Sequence, residues 1–98
     1  MDQTRASAPH DMQEIMQEIL RLTEARGPQR SICPTEVARA LETTPGEAWR
    51  ARLGAVRRSA ALLAGEGRID ILHKGKPIDP SSVRGVIRLR IRPPEPDA

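Results

Sequence analysis

The sequence predicts an α+β domain: three short helices followed by a small antiparallel sheet. Apolar residues recur at helical spacing through the first two thirds of the chain, and the period then changes from 3.6 to 2. The helical stretches are bounded by helix-start residues, glycines and prolines. The amount of apolar material sets the scale. In 98 residues, 38% are hydrophobic, with one Trp and neither Phe nor Tyr, which fills one small aliphatic core and not two. A Rossmann fold or a TIM barrel is excluded on size.

Residues 1–10 are small and polar and predict a disordered N-terminal arm. Asp11, with Glu14 three positions on, reads as the cap of a first helix. Met12, Ile15, Met16, Ile19, Leu22 and Thr23 form its apolar face, and Gly27-Pro28 ends it. Ser31-Ile32-Cys33 has the composition of a short edge strand. Pro34 suits a first helical position and starts a second helix carrying Val37, Ala38 and Leu41. A third helix is expected from Thr44, with Thr44 as cap, Pro45 in the first turn and Glu47 completing a capping box. Its core stripe, Trp49, Leu53, Val56, Ala60 and Leu63, spans about 80° of the helical wheel. Gly65 and Gly67 stop it.

Ile69 and Ile71, then Ile87, Leu89 and Ile91, alternate with polar residues and predict two paired strands. The segment between them, residues 73–85, is too long for a tight two-residue turn and reads as a wing-like excursion. The tail, residues 93–98, is Pro-rich and is expected to be disordered. The domain proper is thus residues 11–92. Its order of helix, short strand, helix, helix, strand, long loop and strand is that of a winged helix-turn-helix. Glu42 to Thr44 forms the short turn between the second and third helices.

Charge is distributed unevenly over these elements. Residues 1–49 sum to −3, residues 50–92 to +8 and residues 93–98 to −2, giving the net +3. Arg outnumbers Lys 14 to 2, as a GC-rich genome would produce, but that bias does not place the positive charge in one half. A basic half on a helix-turn-helix points first to nucleic acid. Aromatic scarcity argues against single-strand binding by base stacking.

Several segments also resemble a known family. They are Ser31 to Leu41, Trp49-Arg50, Val56-Arg57-Arg58, Gly67-Arg68-Ile69, Lys74 to Pro80 and Gly85 to Arg90. Together they are similar to a bacterial family of small proteins catalogued as domain of unknown function 3253, across roughly Ile15 to Ile91. The resemblance implies a winged-helix-like domain and no activity. Gly54 stands where the family would lead one to expect a larger residue.

The candidate nucleic-acid-binding residues are Arg50, Arg57 and Arg58 on the third helix, Lys74 and Lys76 on the wing, and Arg84 on its return arm. Arg50, Gly54, Arg57, Arg58 and Ala61 share a face opposite the Trp49 stripe, and small residues there would let the helix approach a phosphate backbone closely. The competing reading is a solvated face with Arg50 paired to Glu47. Arg88, Arg90 and Arg92 share one strand face, so a polyanion or nearby acids, with the first helix as one source, must offset them.

Trp49 reads as core. Cys33, the sole cysteine, reads as a cap or packing residue and excludes an intramolecular disulfide. His10, His73 and Cys33 make no metal-ligand spacing, and no catalytic constellation, cofactor or small-molecule substrate is implied. With no apolar leader and no apolar run beyond five residues, the sequence predicts a cytoplasmic protein with no membrane segment. The expected function is double-stranded DNA binding, as in a transcription regulator; the alternative is a protein-interaction adaptor whose basic face meets an acidic partner. A homodimer would suit a palindromic site, but the sequence leaves the oligomeric state open.

Overall fold

Residues 11–93 are described by a computed structural model. The predicted arm, residues 1–10, and the predicted tail after Pro93 lie outside the described residues. Helix α1 is Met12–Arg26, and Asp11 caps it by accepting the Glu14 N–H at 2.9 Å. Ile15, Ile19 and Thr23 are its buried residues, with Met16, Leu20 and Leu22 half-buried beside them. At its end the Gly27 N–H donates to the Thr23 carbonyl at 3.0 Å, with Gly27 at φ +84°. Helix α2 is Pro34–Leu41, with Cys33 at its N-cap and Pro34 at the start. Glu36 reaches back to accept the Cys33 N–H at 3.1 Å and takes the Arg26 guanidinium at 2.7 Å. One carboxylate therefore ties the end of α1 to the start of α2.

The third helix begins later than its capping pattern predicts. Gly46 has φ +96°, outside the helical region, so residues 44–47 form a bend. The chain enters a 3₁₀ turn at Ala48–Arg52 and becomes α-helical as α3, Leu53–Gly65. Thr44 bonds Glu42, and Glu47 bonds Arg50, so neither closes the expected box. The core stripe forms as expected, with Trp49, Val56, Ala60 and Leu63 buried and Leu53 half-buried. Ser59, also buried, completes it, its hydroxyl 3.2 Å from the Met12 sulfur. At the far end the Arg68 N–H bonds the Leu63 carbonyl and the Gly67 N–H bonds the Ala64 carbonyl, each at 3.0 Å. This is the Schellman arrangement that a left-handed Gly67 permits.

The sheet is antiparallel, in the order β2-β1-β3, with β1 at Ile69–His73, β2 at Lys76–Pro77 and β3 at Arg88–Ile91. Ile69, Ile71 and Leu89 are buried under the helices, and Ile87 precedes β3 into the same core. The predicted strand at residues 31–33 is reduced to one bridge. The Ile32 N–H donates to the Leu89 carbonyl and the Leu89 N–H to the Ile32 carbonyl, both at 2.8 Å. Three helices and a three-stranded antiparallel sheet make an α+β architecture compatible with a winged-helix fold.

The long loop contains the tight turn that its length argued against. Lys74 and Gly75 join β1 to β2 as a two-residue connection, with φ of 55° and 83°. Positive φ at both positions is what a type I′ turn needs. The sequence hides it because Lys takes the place usually given to Asn or Asp, and because β2 is two residues long and ends in Pro77. A proline there is tolerated on an edge strand and blunts that edge. The remaining excursion, residues 78–87, returns along the helices. Ile78 and Val83 pack on the core, and Asp79 caps a 3₁₀ turn at Pro80–Ser82.

Two substitutions test this scaffold by urea or thermal unfolding. Gly75→Ala meets no atom within 4 Å, so its cost is conformational only: about 1–2 kcal/mol. Ile32→Ala empties a fully buried site and costs about 2–5 kcal/mol. Equal, negligible effects would contradict both the turn and the seam.

Candidate functional site

The structure sorts the cations into two groups. Arg21, Arg26, Arg50, Arg52, Arg90 and Arg92 each sit within ion-pair distance of a carboxylate. Among the described residues Arg57, Arg58, Lys74, Lys76 and Arg84 do not, and all five lie on α3 or the wing. Arg30, Arg39, Arg68 and Arg88 also lack an acid among the described residues but lie on other elements.

Two of the three strand arginines share one acid within the protein. Asp70, on β1, faces Arg90 across the strand pair and accepts from it at 3.1 Å and from Arg92 Nη2 at 2.6 Å. Arg88 donates to the Ser31 hydroxyl at 2.7 Å and to the Ser31 carbonyl at 3.0 Å. Among the described residues the offsetting acid is thus Asp70 on the neighbouring strand, not an acid of the first helix, while Ser31 orients Arg88 without offsetting its charge. Burial pushes the Asp70 carboxyl up, but the hydrogen bonds and charges of Arg92 and Arg90 outweigh it and hold the carboxyl below its usual range. The charge of the outer sheet face is thereby reduced but not cancelled, since one carboxylate serves two arginines and Arg88 bonds neutral groups.

Of the predicted site residues, Arg50 is partly engaged. Its Nε donates to Glu47 at 2.9 Å, and its guanidinium lies 4.6 Å from the Trp49 ring centroid. Arg57 has a different task from the one its wheel position implied. Its Nη1 donates to the Gly85 carbonyl at 3.2 Å, joining α3 to the return arm of the wing. Arg58 is exposed, and its Nη1 would be 3.4 Å from a Cβ placed on Gly54. A side chain at position 54 would thus touch the flexible end of Arg58 without a clash. Lys74 and Lys76 flank the hairpin tip, and Arg84 is exposed next to the Gly85 anchor.

Two further contacts fix the wing. The Ile78 N–H continues the ladder to the Ile71 carbonyl at 2.9 Å. His73 Nδ1 is 2.9 Å from the Val86 carbonyl, and since a carbonyl only accepts, Nδ1 carries the proton. Asp79 is the acid of the wing. Hydrogen bonds from the Ser81 hydroxyl and then the Ser81 backbone hold its carboxyl below the usual range, so it acts as a turn cap.

Sequence reasoning missed Arg39. It sits in the last turn of α2, exposed, with its guanidinium 4.5 Å from the Trp49 ring centroid. Nothing local signals that contact, since it joins residues on two elements. Trp49 is core as expected, at 9% exposure, and the two arginines lie against its ring.

A cavity of about 740 Å³ lies at the other end of the sheet from the hairpin tip, lined by Leu20, Glu24, Glu66, Arg68, Ile91 and Arg92 among others. Its rim mixes both signs of charge. Among the described residues no three His, Cys, Asp or Glu side chains group as a metal site, and no helix is long and apolar enough to cross a membrane.

Removing the Asp70 carboxylate tests the offset. Because its folded pKa is depressed, its contribution is complete above the unfolded value near 3.8 and is lost as pH falls through the lower folded value. Asp70→Asn is expected to lose about 1 kcal/mol at pH 7. The gap to the native chain should shrink progressively as pH falls below that unfolded value. Chemical denaturation across that range reads it, and a gap independent of pH would contradict the pairing.

The chain matches the family described as protein of unknown function (DUF3253) over residues 12–92 and belongs to that family. No curated protein matches it.

Proposed function

We propose that this member of the family binds double-stranded DNA through α3 and the wing, in the role of a transcription regulator. One observation carries the reading. The cations without a carboxylate are concentrated on the two elements that a winged helix presents to DNA, and the Arg57–Gly85 bond holds those elements together. Elsewhere most arginine is consumed by internal pairs. A surface with like charges left uncompensated at some cost in self-repulsion is matched by a polyanion.

The roles divide by contact. Arg58 makes no hydrogen bond among the described residues and is the side chain to reach a base edge or phosphate in the major groove. Lys74, Lys76 and Arg84 supply phosphate contacts from the wing. Arg57 acts mainly by setting the wing against the helix. Arg50 contributes less, because a phosphate must compete with Glu47, although that pair is exposed on both sides and weak. The role we propose is binding rather than catalysis.

Anisotropy of a labelled duplex against salt concentration tests the reading. About five phosphate contacts give a slope of log K on log salt near −4 to −5. Arg58→Ala should lower affinity roughly tenfold and flatten that slope by about 0.9. Its Tm should be almost unchanged, because the residue holds nothing in the fold. Failure to bind any duplex at low salt, with an acidic protein partner retained instead, would favour the adaptor reading.

A further inference from the structure

The Arg39–Trp49–Arg50 cluster is a feature that the reading above leaves unused. Trp49 is almost fully buried, so its ring is a fixed surface. Both guanidiniums lie against it, 4.5 and 4.6 Å from the centroid. Arg39 comes from the end of α2 and Arg50 from the 3₁₀ turn that runs straight into α3. Two cations from separate elements are thus held on one rigid ring, where stacking limits the rotamers that each samples. That limits the entropy lost when they grip an anion.

The neighbouring charges leave one cation uncompensated. A shallow depression of about 590 Å³ beside the ring is lined by Arg39, Thr43, Gly46 and Trp49, and also by Glu42 and Glu47. Glu42 is bound by Thr44 and by Arg52, whose Nη2 is at 2.7 Å, and its carboxyl is held below the usual range by the Thr44 hydroxyl first and Arg52 second. Glu47 is taken by Arg50 in an exposed pair. Three arginines therefore face two carboxylates, and Arg39 is the one with no acid.

We propose that Arg39 and Arg50, stacked on Trp49, hold one backbone phosphate of the bound DNA at the N-terminal end of the recognition helix. This rests on the DNA-binding reading and adds a contact from α2 to it. Guanidinium groups suit the site because their donors fork onto phosphate oxygens while their planes stay stacked on the ring. Phosphate binding draws Arg50 from the exposed Glu47 and leaves the Glu42–Arg52 pair in place.

The experiment uses the full chain, whose one Trp and lack of Tyr make its intrinsic emission a reporter of this cluster. Labelled duplex anisotropy and Trp49 emission are followed in the same titration. Emission should change and saturate together with anisotropy. Arg39→Ala should weaken binding roughly five- to tenfold and flatten the salt slope by about 0.9. Arg39→Lys, which keeps the charge and loses the fork, should preserve the slope and lose part of the affinity. Arg68→Ala, at the far end of the sheet, should change neither readout. Binding seen by anisotropy with unchanged Trp49 emission, and with affinity and slope retained in Arg39→Ala, would overturn the phosphate site while leaving DNA binding intact. Absence of any anisotropy change in the native chain would overturn both.

Discussion

The reciprocal pair between Ile32 and Leu89 is the constraint on which the arrangement depends. The two residues exchange backbone hydrogen bonds at 2.8 Å, and both side chains are fully buried. This stitches the connection between α1 and α2 to the last strand, 57 residues away along the chain. Around it, Arg88 bonds Ser31, while Arg26 reaches both the Ser31 carbonyl and Glu36. Because Leu89 also pairs with Ile71, the seam sets β1 against the helices, and with it the direction in which the hairpin projects. A core with no Phe or Tyr depends on such registration, since aliphatic side chains fill space only when their backbones are fixed.

The scaffold makes sense of the charge pattern. A net charge of +3 is modest, and its partition within the fold matters more. Arginines that hold the molecule together are paired: Arg26 with Glu36, Arg52 with Glu42, and Arg90 and Arg92 with Asp70. Those on α3 and the wing are not. Arg57 stands between the groups, since its partner is a carbonyl that neutralises nothing; it orders the wing and keeps its full charge.

Much of the fold was legible because its signals are local. The Asp11 cap, the Gly27 stop, Pro34 at the head of α2 and the Trp49-to-Leu63 stripe depend on residues within a few positions of one another. The alternation at Ile69 and Ile71 and at Leu89 and Ile91 likewise exposed two strands. The start of α3 misled because Thr44, Pro45 and Glu47 match a cap while Gly46, left-handed between them, turns the chain out of the helix. The Lys74-Gly75 turn was hidden by an unusual first residue and a two-residue partner strand. Within the candidate site, the arginine face of α3 was legible from helical periodicity. The Arg50–Glu47 pair was legible too, being three positions apart, but the other partners were not, because those contacts span distance: Arg57 to Gly85, Arg88 to Ser31, Arg92 to Asp70 and Arg39 to Trp49.

The proposed DNA-facing surface comprises α3, its leading turn, the wing and Arg39 at the end of α2, with the far end of the sheet uninvolved. Amide chemical-shift changes on titrating a short duplex into the full chain test that placement most directly. The expected result is a set of shifts on Arg39 and on residues 48–58 and 73–86, with Glu24, Glu66, Arg68 and Arg92 unmoved. Shifts centred on that far end, or none at any duplex concentration, would contradict it.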